Sequence, residues 1–539
     1  MEKNKHMKTL TFWLVLVAAL PAAAGNKKTS DDLNATNGDP NAQAAVIVQF
    51  ASDISDQDTQ DVANRGGKLK VKLGPVGAFS VPANSIQSVA ALPNVVYVSP
   101  DRPVHGQLNY TTAAVNAGLA WKYGWSGAGI GIAIVDSGIS PSADLLGGHK
   151  GSSGVVYSEA FGGLAGTVDL YGHGTHVAGI AAGDGTASQG LLSGIAPGAN
   201  LINLRVLDEN GSSSDSAVIA AISRAIDLRK KYNIRVLNLS LGRPVYESYR
   251  LDPLCQAVEA AWKAGIVVVA AAGNDGRDNS FGNQGYGTIL SPGNDPYVIT
   301  VGAMKTMDTL SRGDDLIASY SAKGPTAIDH IAKPDLVAPG NQVVSTIGSG
   351  AHTLSTLYPG NAVRGGYFRL SGTSMAAPVV SGAVALLLEQ NFKLTPDQVK
   401  ARLMKTATKN FPSASFATDP VSGVTYSSAY DFLTVGAGYL DIFAALNSTD
   451  LAARQALSPA LVRDATTGAV SMVSDSSVIW GSSVIWGSSV IWGSNVIWGS
   501  SVVWADATPS GQSVIWGSSV VWADTFTGGG EQASVLGEK

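Results

Sequence analysis

The sequence contains one cysteine, Cys255, which excludes an internal disulfide framework and a cysteine-based zinc site. Charge is scarce as well. Asp, Glu, Lys and Arg make up 14% of the 539 residues, against roughly 25% in an ordinary soluble domain, and 36 basic against 41 acidic residues give a formal net charge of −5. No broad basic field is left to recruit nucleic acid, so a nucleic-acid partner is not expected. Long apolar runs are also nearly absent. The one near the start, residues 9–24, follows Lys3, Lys5 and Lys8, ends in Pro21-Ala22-Ala23-Ala24-Gly25, and falls short of the about 20 apolar residues a membrane span needs. Residues 1–24 read as a secretory signal with small residues at its cleavage site. The mature protein is therefore expected to be secreted, without a transmembrane anchor.

What the chain does have is organised in blocks. Residues 45–50 read as a strand, 55–64 as a polar helix stopped by Gly66-Gly67, and 68–73 as a strictly alternating strand. Residues 76–81 form a further strand, 84–92 a helix closed by Pro93, and 95–99 a last strand. This order is that of a small ferredoxin-like α+β unit over 42–105, and order alone says nothing of function. From Gly129 the texture changes to continuous apolar runs at 129–135, 201–207, 236–241, 265–272 and 298–303, with helical spacing at 218–231, 254–263 and 375–389. Strands alternating with helices predict an α/β fold, a doubly wound and mainly parallel sheet with helices on both faces. Such a sheet places its chemistry at the carboxyl ends of strands.

Three segments there combine reactive side chains with small residues. In Ile134-Val135-Asp136-Ser137-Gly138 an acid closes a buried strand; in His173-Gly174-Thr175-His176-Val177-Ala178-Gly179 a histidine opens a tightly packed helix. In Gly372-Thr373-Ser374-Met375-Ala376-Ala377-Pro378 a serine opens a long apolar helix, with the proline expected in its first turn. There the free N–H groups and positive helix end favour negative charge beside the hydroxyl. Each segment alone has a plainer explanation: a strand-end cap, a histidine pair for a metal that lacks a third ligand, and an N-cap.

Together, in the order Asp, His, Ser, they resemble the subtilisin-like serine proteases, over about residues 107–446. Val267-Val268-Val269-Ala270-Ala271-Ala272-Gly273-Asn274-Asp275-Gly276 is similar to that family's strand ending in the oxyanion-hole asparagine. The resemblance implies a secreted serine endopeptidase with a subtilisin-like catalytic domain over 107–447, acting on polypeptide substrates and needing no cofactor for catalysis. It makes Ser374 the nucleophile, His173 the base, Asp136 its orienting acid and Asn274 an oxyanion donor, and leaves His176 structural. It also makes the unit at 42–105 a propeptide, the chain's own intramolecular inhibitor, with 101–107 as the segment cut in self-processing.

The same resemblance puts Ser240, Leu241 and Gly242 on one side of the P1 pocket and Ala271, Ala272 and Gly273 on the other. Gly211 and Ser212 belong to the edge that pairs with extended substrate. Neither wall carries a charge in sequence, which predicts a broad, apolar-leaning P1 preference. Residues 348–370 are longer than the family's usual connection and are expected to shape the primed side. A structural calcium ion is left open: Asp144 resembles one ligand and Asp184 sits in a glycine-rich loop, but no full set of six to eight oxygens is evident. Cys255 reads as a buried small apolar residue rather than a nucleophile.

After a linker at 448–475, Trp480, Trp486, Trp492, Trp498 and Trp504 recur every six residues, and Trp516 and Trp522 keep the phase, giving a repeat over 476–523 before a tail at 524–539. Six is a multiple of the strand period, so each Trp would share a face in an extended chain. Three readings stand: a low-complexity tail, short strands stacked as a small solenoid, or an attachment module meeting the cell surface, sugars or another chain. The alternative to an active protease is a secreted binding or structural protein with an inactive protease-like domain.

Overall fold

Alternation in β1 (Gln43–Phe50) sends Val46, Val48 and Phe50 into a core, and the capping box of Ser55 and Asp58 starts α1 (Asp56–Ala63). Then come β2 (Lys68–Leu73), β3 (Val76–Pro82), α2 (Ile86–Ala90) and β4 (Val95–Pro100), in an antiparallel sheet of order β2-β3-β1-β4. This is the ferredoxin-like arrangement. Its edge strand β2 is largely exposed and carries Lys68, Lys70 and Lys72, charges that discourage further strand pairing. In the computed structural model the described residues are 28–30, 33, 42–101, 110–146, 154–280, 282–419, 422–452, 455–463, 470–473 and 537–538. The expected signal at 1–24 and the Trp repeat at 476–523 lie outside them.

The chain divides into two units, Met1–Gly106 and Gln107–Lys539. The second opens with α3 (Tyr110–Ala114) and α4 (Ala117–Lys122), then β5 (Gly131–Asp136), β6 (Val155–Ala160), α5 (His173–Ala182), β7 (Asn200–Arg205) and α6 (Asp215–Leu228). It continues through β8 (Ile234–Leu239), α7 (Pro253–Lys263), β9 (Val267–Ala271), β10 (Ile299–Lys305), β11 (Leu316–Ile317), β12 (Leu336–Pro339) and β13 (Val343–Thr346). Last come α8 (Thr353–Leu357), β14 (Ala362–Val363), β15 (Tyr367–Leu370), α9 (Thr373–Gln390) and α10 (Pro396–Thr406). The main sheet runs β11-β10-β9-β8-β5-β7-β6 with β12 also on β10, and every pairing but β10–β11 is parallel. Strands buried on both faces explain the unbroken apolar runs.

Two helices pack closely through missing side chains. A Cβ at Gly382 of α9 would stand 2.5 Å from Ile195 Cβ, and one at Gly179 of α5 would stand 2.3 Å from Ser345 Oγ. The helix α9 is long and apolar enough to cross a membrane, but it is a core element, buried along nearly its whole length. Two expectations need correction. Residues 455–463, expected within a linker, are built into this unit: Ala332 N donates to Pro459 O, Leu461 N to His330 O, and Ala456 and Leu461 are buried. Glu538, expected in a separate tail, is also buried here.

Candidate active site

The carboxyl ends of β7, β8 and β9 border a cleft of about 460 Å³. Asp136 ends β5 beneath it and is buried; its Oδ1 accepts from Ser137 N–H at 2.7 Å and meets His173 Nδ1 at 2.8 Å. That contact keeps a proton on Nδ1 and leaves Nε2 as the basic nitrogen. Burial works against a charged ring, but the Asp136 carboxylate, reinforced by Asp169, outweighs it and holds His173 above the ordinary histidine value. His173 can open α5 because Gly172 turns at φ +102, where a Cβ would press at 3.0 Å on His352 Cβ. His176, one turn on, is fully buried with Nε2 3.0 Å from Phe368 O, and burial pushes its pKa down to about 3. It is neutral and cannot serve the cleft.

Sequence reasoning missed Asp169. This buried carboxylate accepts from Ser137 Oγ (2.8 Å) and Gly172 N–H (2.7 Å) on Oδ1, and from Thr175 N–H (2.8 Å) and Thr175 Oγ (2.7 Å) on Oδ2. It thus fastens the segment after Asp136 to the first turn of the His173 helix. A single acid in a loop carries no local pattern that announces such a role.

Ser374 is the second residue of α9, where backbone N–H groups have no partner within the helix. Thr373 N–H and hydroxyl both donate to Asn274 Oδ1, at 2.9 and 3.1 Å, which orients the amide and leaves Nδ2 to donate into the cleft. Ser374 Oγ donates to Ser240 O at 3.1 Å rather than to His173, although both side chains line the cleft. Such contacts often tighten only when substrate binds. Pro378 is the sixth residue of α9, not in its first turn as expected. It withholds the N–H that Ser374 O would accept, and Ser240 Oγ fills that place at 2.8 Å. Asn238 Nδ2 donates to Ser240 Oγ, and Ser381 Oγ to Asn238 Oδ1, so a buried polar chain holds the serine's helix against β8.

Of the expected substrate-contacting residues, Gly211, Ser212, Ser240, Leu241 and Gly242 line the cleft. Ala271, Ala272 and Gly273 lead from the end of β9 to Asn274, which lines it too. Ala272 is spent on sheet-type bonds with Val301 and Leu290, and Leu290 Cγ stands 2.8 Å from where a Gly273 Cβ would be. The wall beyond Gly242 is not uncharged: Arg243 lines it, held by Asp215 at 2.9 Å and Asp252 at 2.8 Å. Residues 348–370 reach the cleft beside Gly211. Thr353 Oγ donates to Glu209 O, Leu354 N–H to Tyr171 O, and Leu354 joins the lining.

Cys255 is buried, with its thiol pushed up by burial and by neighbouring Asp295 and Asp252, so it is unreactive. Asp144 and Asp184 make a poor calcium cradle. Both carboxylate oxygens of Asp144 already accept donors, Tyr367 OH at 2.6 Å and Ala187 N–H at 2.7 Å, and no cluster of three or more metal-ligating side chains occurs among the described residues.

Comparison with known proteins agrees with this geometry. Residues 127–423 match the Subtilase family, peptidase S8. The chain is 37% identical over 379 residues to serine protease AprX of Bacillus subtilis (strain 168), covering 68% of this chain and 82% of that one. It is 32% identical over 411 residues to subtilisin E of the same strain, covering 75% and 95%. It is 31% identical over 377 residues to an alkaline protease of Shouchella clausii, covering 68% and 84%.

Proposed function

The chain belongs to the subtilase family of serine endopeptidases, and from that premise we propose that Asp136, His173, Ser374 and Asn274 carry its reaction. One observation supports this most: the His173 ring, oriented by Asp136, shares a single cleft with the Ser374 hydroxyl and the Asn274 amide. Ser374 Oγ leaves Ser240 O, gives its proton to His173 Nε2 and bonds to the scissile carbonyl carbon. The carbonyl π pair moves onto oxygen, where Asn274 Nδ2–H and Ser374 N–H donate to the oxyanion. His173, now an imidazolium stabilised by Asp136, protonates the leaving amine as the C–N bond breaks. Water then repeats the sequence on the acyl-enzyme, with His173 first accepting and then returning a proton.

Substrate lies extended along Gly211 and Ser212 and directs an apolar P1 side chain toward Leu241 and Gly242. Arg243 does not recruit acidic P1 residues, because Asp215 and Asp252 already neutralise it. The protein is made with a secretory signal and acts outside the cell, and its ferredoxin-like unit serves as an inhibitory propeptide released by self-cleavage within 101–107. A peptide-library profile tests the pocket: apolar P1 residues should dominate, and dominance of Arg or Lys would refute it. N-terminal sequencing of the secreted form tests processing, and a start well before Asp101 would contradict it.

A further inference from the structure

Glu538 follows the whole Trp-containing segment in sequence, yet its side chain is buried in the protease unit. Its Oε1 meets Arg277 at 2.8 Å and accepts Ser319 N–H at 2.9 Å and the Ser319 hydroxyl; its Oε2 lies 3.0 Å from Lys305 Nζ. Its backbone is held just as fully. Asn341 Nδ2 and Gln342 Nε2 donate to Glu538 O at 2.8 and 3.0 Å, and Glu538 N–H donates to Asn341 Oδ1 at 2.8 Å. The preceding position accepts only glycine. Gly537 has φ +76, and a Cβ there would stand 2.4 Å from Ser371 Oγ and 2.7 Å from Gln342 Cγ.

Arg277 lies three residues after Asn274, and Ser371 lies three before Ser374. The contacts of residues 537–538 therefore reach both segments that present the cleft's key groups. Lys305 is itself almost wholly buried, and among the described residues Glu538 is its one ion-pair partner, so an empty site would strand a buried cation. Burial opposes charge on Glu538, but Lys305, Ser319 and Arg277 together hold its carboxyl below the usual glutamate value.

We propose that the protease unit contains a receiving site for a glycine-glutamate pair, built from Arg277, Lys305, Ser319, Asn341, Gln342 and Ser371, and that the chain's own residues 537–538 fill it as a latch on the Asn274 and Ser374 segments. The latch holds whether or not the catalytic roles are right, so its first readout avoids turnover. In full-length Ser374→Ala protein, Glu538→Gln should lower the melting temperature by roughly 5 °C, because Lys305 loses its counter-charge while the shape is kept. Gly537→Ala, which expels the segment sterically, should cost a similar amount. The double variant should lose no more than the worse single one, and Lys305→Met should recover part of the Glu538→Gln loss. In the active protein, Glu538→Gln should lower kcat more than it raises KM. Unchanged melting in both single variants, or fully additive losses in the double, would overturn the proposal. A melting loss with unaltered kcat would overturn its extension to the cleft.

Discussion

Asp169→Asn probes the support beneath the His173–Asp136 pair without touching either residue. The carboxylate accepts four donors: on Oδ1 the Ser137 hydroxyl at 2.8 Å and Gly172 N–H at 2.7 Å, on Oδ2 Thr175 N–H at 2.8 Å and the Thr175 hydroxyl at 2.7 Å. An amide of the same shape must place its NH₂ on one side or the other. Either way it faces one hydroxyl, which can rotate to accept, and one backbone N–H, which cannot. One buried N–H is orphaned and charge assistance is lost from the others, each worth about 1–3 kcal/mol, which puts the destabilisation near 3–5 kcal/mol. Melting of Asp169→Asn in the Ser374→Ala background, where self-digestion cannot intervene, reads this directly. The rate effect has a predictable sign. Asp169 helps to raise the His173 pKa, so its removal should lower that pKa and move the acidic limb of kcat/KM toward lower pH. Above that limb the loss should stay well below the roughly 10⁴-fold that follows Asp→Asn within a catalytic triad, because Asp169 does not touch the imidazole. An unshifted acidic limb with unchanged melting would refute the reasoning.

Asn274→Ala should lower kcat by roughly 10²–10³, a magnitude measured in a subtilisin, with little change in KM; steady-state kinetics on a chromogenic peptide checks it. His176, with an unfolded value of 6.5 and a folded value of about 3, binds its proton first in the unfolded state. The native fold should lose about 1.36 kcal/mol per pH unit from this residue as pH falls from 6.5 toward 3, and His176→Gln should flatten the pH dependence of melting. Ser458 Oγ donates to Asp335 Oδ1 at 2.6 Å and accepts from Lys400 Nζ at 2.9 Å. Ser458→Ala should cost about 1–3 kcal/mol in denaturant unfolding, and a chain cut after Asn447 should lose stability and hydrolysis, whereas a freely hydrolysing truncation would contradict this.

What the sequence disclosed was local. The apolar runs foretold β5 and β7 to β10 because strands covered on both faces need no alternation, and the helix expected at 55–64 before Gly66-Gly67 is α1, over Asp56–Ala63. Asp136, His173, Asn274 and Ser374 could be picked out because each stands in a short motif at an element end. The relations that escaped are between residues distant in sequence. Asp169 gains its importance from Ser137, 32 positions earlier, Ser240 from the N–H that Pro378 withholds, and residues 455–463 and 537–538 from partners 58 to 261 positions earlier. Arg243 was overlooked for a simpler reason: the wall read as uncharged, Leu239-Ser240-Leu241-Gly242, ends one residue short of this cation, which Asp215 and Asp252 hold.

The central claim is that Ser374 is the nucleophile of a working protease, and a fluorophosphonate probe tests it most directly. Incubation of the mature protein, followed by peptide mass mapping, should place the label on Ser374 alone, and Ser374→Ala should abolish both labelling and casein hydrolysis. A protein that is neither labelled nor able to cleave casein, or a Ser374→Ala variant that still does either, would contradict the account.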